Sequence, residues 1–184
     1  MELDEAKAKI SEYQQAFAGS DESDPLRRHG VALACSACRM AAKRFQNKVA
    51  RKIRGKMAEA ERRQAFEKHL PGACGAAGFP EQVAVVEKAG RPMYVDFKDA
   101  MANKHGQVSV KRMSPEVRAD LLAACQHLLH EERRRPLLQK ILSAPKAGKA
   151  SDLDLAGWLC GPSQAAVCEE GEEDAEGDEE HTDL

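Results

Sequence analysis

Cys35 and Cys38 stand three residues apart in "ALACSACRMAAKRF", residues 32 to 45, and that spacing serves three chemistries. A redox dithiol places its first thiol at a helix N-terminus after a strand, where the helix end favours the thiolate. A tetrahedral zinc site needs a second pair of Cys or His beside the first. A disulfide framework needs partners elsewhere, and Cys74, Cys125, Cys160 and Cys168 complete an even set of six. The residues ahead of Cys35, "RRHGVALA", can begin a helix but do not read as a strand feeding one, which counts against the dithiol. His127 and His130 stand three apart, and they read as the edge of a solvent-facing helix rather than as zinc ligands. No Gly-rich phosphate loop and no nucleophile set is visible. The expectation is no catalytic residue, no metal and no cofactor.

The elements that position these cysteines follow from the apolar periods. Cys35, Cys38, Ala42, Phe45, Val49 and Ile53 recur at intervals of three and four, which traces one buried stripe along a long helix. Gly55 weakens that helix, and "MAEAERRQAFEKHL" continues or restarts it as far as Pro71 and Gly72. "PEQVAVVEKAG" reads as a short helix with Pro80 in its first turn. The period then becomes two in "MYVDFK" and "QVSVK", so a small β-hairpin is expected across the connection "DAMANKHG". "SPEVRADLLAACQHLLHEE" is a helix with Ser114 as N-cap and Pro115 at N1, and Leu121, Leu122, Cys125, Leu128 and Leu129 form its apolar face. Pro136 is expected to kink or restart it. "SDLDLAGWLC" is a last helix, capped by Ser151 and ended by Gly161 and Pro162. Ahead of all this, Leu3, Ala6, Ile10, Tyr13 and Phe17 mark a short amphipathic helix, followed by the polar linker "GSDESDP".

Composition sets the class. The chain has 184 residues, and only 4% are aromatic, so a core of Leu, Val, Ala and Met is expected, in a mainly α protein. No run of eighteen apolar residues exists, which excludes a spanning helix of that kind. Charge is divided along the chain. From Arg39 to Arg63 there are ten Lys or Arg against two Glu, whereas the last sixteen residues hold ten acids and no Lys or Arg. Setting that block aside leaves a body of +8 from a chain of net −2. The block cannot bury enough apolar surface to fold, so residues 169–184 read as a disordered acidic tail. In the basic run, Lys48, Arg51, Lys52 and Arg54 are the candidate partner-binding residues. Phe45 is the one aromatic residue interleaved there, so nucleic acid is not the expected partner. The plainer reading is a solvated face opposite the Cys35–Ile53 stripe.

Six cysteines permit fifteen pairings, and spacing alone does not choose among them. Two cysteines on one helical face can each bridge to a final segment lying antiparallel beside it, which favours Cys35–Cys168 and Cys38–Cys160 and leaves Cys74–Cys125. The cysteine order, "ACSACR", the strand-like "YVDF…QVSV" between the third and fourth cysteines, and "DLAGWLCGPSQAAVC" resemble the canopy family, the saposin-like proteins of the endoplasmic reticulum, over roughly residues 30 to 168. The resemblance implies a disulfide-linked saposin-like helical domain at 30–168 with a small inserted β-hairpin, preceded by a helix and linker at 1–29. It also implies a non-enzymatic lumenal adaptor or co-chaperone that assists secretory or receptor clients, in some members beside a lumenal heat-shock chaperone. Two alternatives are a saposin-like lipid-binding protein and a dithiol oxidoreductase using Cys35 and Cys38.

Family members end in a retrieval tetrapeptide, and this chain ends in His181, Thr182, Asp183 and Leu184. "HTDL" departs from HDEL at its second and third positions. The N-terminus lacks a secretory leader pattern, so the expectation is a lumenal protein whose signal peptide has been removed.

Overall fold

The structure is a computed structural model that describes residues 23–28, 30–88, 90–102 and 109–169. Its organising element is α1 (Val31–Lys48). The whole expected stripe, Cys35, Cys38, Ala42, Phe45, Val49 and Ile53, is buried. Helix α1 packs chiefly on the last helix, on the edge strand Arg91–Asp96 and on the helix that carries Cys125. At its end the Val49 amide donates to the Phe45 carbonyl, and the chain turns through a short 3-10 segment, Ala50–Lys52. Helix α2 (Glu59–His69) restarts from Ala58, whose amide donates to Glu61 Oε2 at 2.9 Å. Phe66 of α2 meets Phe45 edge to face with ring centres 6.1 Å apart, a favoured aromatic geometry.

The segment expected as a short helix after Pro80 is instead β1 (Val83–Lys88). Three of its first four residues are valine and all four are buried, so the β-branched side chains are covered on both faces. Strand β2 (Arg91–Asp96) follows across a turn in which Gly90 adopts φ +76°. A short helix α3 (Phe97–Ala102) lies in the expected connection, and β3 is Ser109–Met113. The expected hairpin is therefore a three-stranded antiparallel sheet of order β2-β1-β3. Strands β2 and β3 each pair with β1, Val85 opposite Tyr94 on one side and Arg112 on the other. The outer side of β2 leans on α1, where the Tyr94 amide donates to Ser36 Oγ at 2.8 Å.

Helix α4 (Pro115–Leu128) begins with Pro115 at N1; Ser114 holds the N-cap position but its side chain makes no capping bond. The chain breaks at Leu129 and His130, and α5 (Glu131–Leu142) runs through Pro136. The reorientation expected at the proline is thus taken up six residues earlier, and Leu137 and Ile141 are buried beyond it. Helix α6 (Leu155–Cys160) is capped by Asp154, which accepts from the Gly157 amide at 2.8 Å. Ser151, the expected cap, lies in a separate 3-10 turn, Ala150–Asp152. One core cluster unites these elements, and Leu26 ahead of α1 belongs to it. No helix among the described residues is long and apolar enough to cross a membrane. The expected N-terminal helix (1–17) and the acidic stretch from 170 lie outside the described residues.

Candidate functional site

The CSAC motif is a structural anchor. Cys35 is bonded to Cys168 and Cys38 to Cys160, with Cα separations of 4.9 and 5.7 Å. The closing segment makes this possible by folding back on itself. After Gly161 the amides of Val167 and Cys168 both donate to the Cys160 carbonyl, at 3.1 and 3.0 Å. Ala166 turns the chain in the left-handed region with φ 52°. Cys160 and Cys168 are thereby brought side by side against two cysteines one turn apart on α1. A third bond, Cys74–Cys125, joins the loop after α2 to α4. No cysteine is free, and Cys38 and Cys160 are almost wholly buried. Cys74 is half-buried and lines a shallow groove of about 240 Å³ with Leu70, Pro71, Gln126, Leu129 and Arg134. Arg134 is paired there with Glu67.

The four basic residues singled out from sequence do not share one helix. Lys48 ends α1, Arg51 and Lys52 lie in the 3-10 turn, and Arg54 forms an isolated antiparallel bridge with Lys149. Around that bridge the Gly55 amide donates to the Gly148 carbonyl at 2.9 Å, and the Ala150 amide to the Ile53 carbonyl at 3.0 Å. Gln46 Nε2 adds a bond to the Ser151 carbonyl at 2.8 Å. Gly55 is required by this close approach, since a Cβ there would overlap the Pro145 carbonyl. The two segments thus present Lys48, Arg51, Lys52, Arg54, Lys56, Lys146 and Lys149 together, all exposed. None of the seven has an ion pair among the described residues. Asp152, the acid on the same segments, accepts from the Lys149 amide at 2.8 Å.

Lys56 was counted in the basic run but not among the candidate residues, and Lys146 and Lys149 were not singled out by sequence reasoning. The signal was "KAGK" in an apparent loop, and its partner segment lies about ninety residues earlier in the chain. Arg44, in the same basic run, has another role. Its guanidinium lies 5.3 Å from the centre of the Phe79 ring, and burial holds its pKa below the usual arginine value. It packs the sheet-side loop to α1.

His127 and His130 do not converge as ligands. His127 Nε2 is 3.2 Å from Asp24 Oδ1, and His130 is the exposed N-cap of α5. No cluster of three metal-ligating side chains occurs among the described residues. The buried Tyr94 phenol is pushed up to about 12, first by desolvation and then by the charge of Asp120, with Arg112 opposing. The terminal His181, Thr182, Asp183 and Leu184 lie outside the described residues.

No protein-family model, curated protein or solved structure matches the chain. The fold and the site define a mostly helical, disulfide-closed domain with a small antiparallel sheet and a basic surface whose seven cations have no ion pair among the described residues.

Proposed function

We propose that the protein is a non-enzymatic adaptor or co-chaperone of the endoplasmic reticulum lumen, of the saposin-like canopy type, which binds secretory or receptor clients through its basic surface. The observation that carries the reading is the use of all six cysteines in long-range bonds, two of them nested around α1. Such bonds persist in oxidising compartments. They also commit the CSAC sulfurs to structure, which argues against the dithiol oxidoreductase. Seven exposed cations without ion pairs among the described residues supply the attraction for acidic segments of client proteins, with a lumenal heat-shock chaperone as a further partner. Electrostatic surfaces of this kind speed encounter and suppress wrong partners. The terminal His181–Leu184 tetrapeptide is read by the retrieval receptor.

The test is retention. With a secretory leader supplied, the intact chain should stay in the lumen and a chain lacking Asp183 and Leu184 should appear in the medium. Equal retention of both would show that this terminus is not the retrieval signal, and cytosolic residence with reduced cysteines would overturn the compartment. Lipid co-purifying in a one-to-one ratio would shift the reading to the saposin-like lipid binder.

A further inference from the structure

We infer that the basic surface formed by the two strapped segments is a binding site for an extended acidic polypeptide, and that its resident occupant is the chain's own residues 169–180, which a client must displace. This rests on the reading of that surface as a binding surface and adds what fills it at rest.

Among the described residues, exposed cations without an ion pair are most numerous at this place on the molecule. Elsewhere several exposed cations have acids: Lys98 lies 3.8 Å from Glu81, Lys111 3.6 Å from Glu87, and Arg63 is paired with Glu59 in α2, whereas Lys68, Arg112 and Arg135 are exposed with no ion pair among the described residues. At the strapped segments the backbone bonds Gly55–Gly148 and Ile53–Ala150 join two stretches that carry seven exposed cations with no ion pair among the described residues. The segment "EEGEEDAEGDEE", 169 to 180, offers nine acids and no cation. It carries two glycines and no large apolar residue, so it suits an electrostatic cradle and no apolar pocket.

The tether has the right length. Cys168 is fixed to Cys35, and the basic surface begins at Lys48, thirteen residues further along α1. At 1.5 Å per residue the separation is about 20 Å along the helix. Twelve residues of chain reach at most about 40 Å when fully extended, about twice that separation. Effective concentration is greatest when the tether matches the span, and for short flexible linkers it is on the order of millimolar. For an acidic peptide with an intrinsic Kd of about 0.1 mM, a tethered competitor at about 1 mM weakens apparent binding about elevenfold. The surface would then select clients whose acidic segments are longer or denser than the chain's own.

Two measurements on the full-length, disulfide-intact protein test this. Carbodiimide coupling joins a lysine amine to a carboxylate as an amide, with the lost water taken up by the reagent. The expected intramolecular links run from Lys48, Lys52, Lys56, Lys146 or Lys149 to acids within 170–180, and they disappear in about 0.5 M salt as screening shortens. Links to Lys98 and Lys111 at equal frequency, or links found only in dimers, would overturn the inference. In the second measurement a labelled peptide of sequence 169–184 is titrated into the intact chain and into a variant carrying Glu172→Gln, Glu173→Gln, Asp174→Asn, Glu176→Gln, Asp178→Asn, Glu179→Gln and Glu180→Gln. About tenfold tighter binding to the variant is expected, lost on adding Lys146→Glu and Lys149→Glu. Equal affinity for both chains would remove the tail as occupant and leave the surface as a binding site. No binding to either chain would remove the surface itself, and so the reading on which this inference rests. Binding of the variant to phosphatidylserine vesicles in place of the peptide would also overturn it, assigning the surface to anionic lipid.

Discussion

Removing either of the two bonds that hold α1 to the closing segment should cost less than that bond would contribute alone, and removing both should cost more than the sum of the single losses. Cys35–Cys168 and Cys38–Cys160 are separated by 133 and 122 residues of sequence. Either bond alone restrains the unfolded chain by about 5 kcal/mol in the chain-entropy model. With one bond in place, however, the second closes only the path through three residues of α1 and eight of the closing segment. A loop of about eleven residues contributes about 3 kcal/mol. Cys35→Ser with Cys168→Ser, or Cys38→Ala with Cys160→Ala, should therefore each lose about 3 kcal/mol of loop restraint, and the quadruple variant about 8 kcal/mol. The difference is a coupling of about 2 kcal/mol in a cycle where packing losses at the buried Cys38 and Cys160 largely cancel. Urea unfolding of the four proteins, with the midpoint and slope both fitted, measures it. Losses of about 5 kcal/mol for each pair that simply add would mean independent loops and refute the nested arrangement.

Other outcomes follow from single residues. Phe45→Ala removes a fully buried ring packed on Phe66 and should destabilise by about 3–5 kcal/mol in thermal or urea unfolding. Gly55→Ala places a methyl against the Pro145 carbonyl; the strap should open, seen as faster hydrogen exchange at the Ala150 amide, with a cost of about 1–3 kcal/mol. Tyr94 should ionise near 12 by ultraviolet absorbance, against the ordinary 10.0. Because its folded pKa is raised, the unfolded chain loses this proton first, so the contribution is full below pH 10 and falls as pH rises toward 12. Tyr94→Phe should flatten that part of the alkaline stability curve, and an unchanged slope would contradict the assignment.

Helical periodicity made α1 legible because one face meets the whole interior: every position of the Cys35–Ile53 stripe is buried. The same stripe exposed the logic of the disulfides, since two cysteines on that face require two partners on one adjacent segment. The region around β1 was misread for a physical reason. "VAVV" is a short apolar run with no period, covered on both faces, and a proline just ahead suits a helix start as well as a loop. Its valine content was the discriminating signal. The alternation in β2 and β3 was visible, yet their separation by β1 was not, because pairing between strands is set by tertiary context. Five of the seven cations of the basic surface lie in the charge run legible from sequence. Lys146 and Lys149 join it only through backbone bonds between segments remote in sequence.

Our proposal is that the protein works by binding acidic clients at the strapped basic surface. Its most direct measurement is client capture in the lumen by cross-linking, comparing the natural chain with Lys48→Glu, Arg51→Glu, Lys52→Glu and Arg54→Glu combined. Disulfide mapping of both proteins establishes that the fold is intact. At least a tenfold loss of captured secretory or receptor clients is predicted, with capture by the natural chain weakening as salt rises. Capture that is insensitive to salt and unchanged by the four reversals would contradict the account.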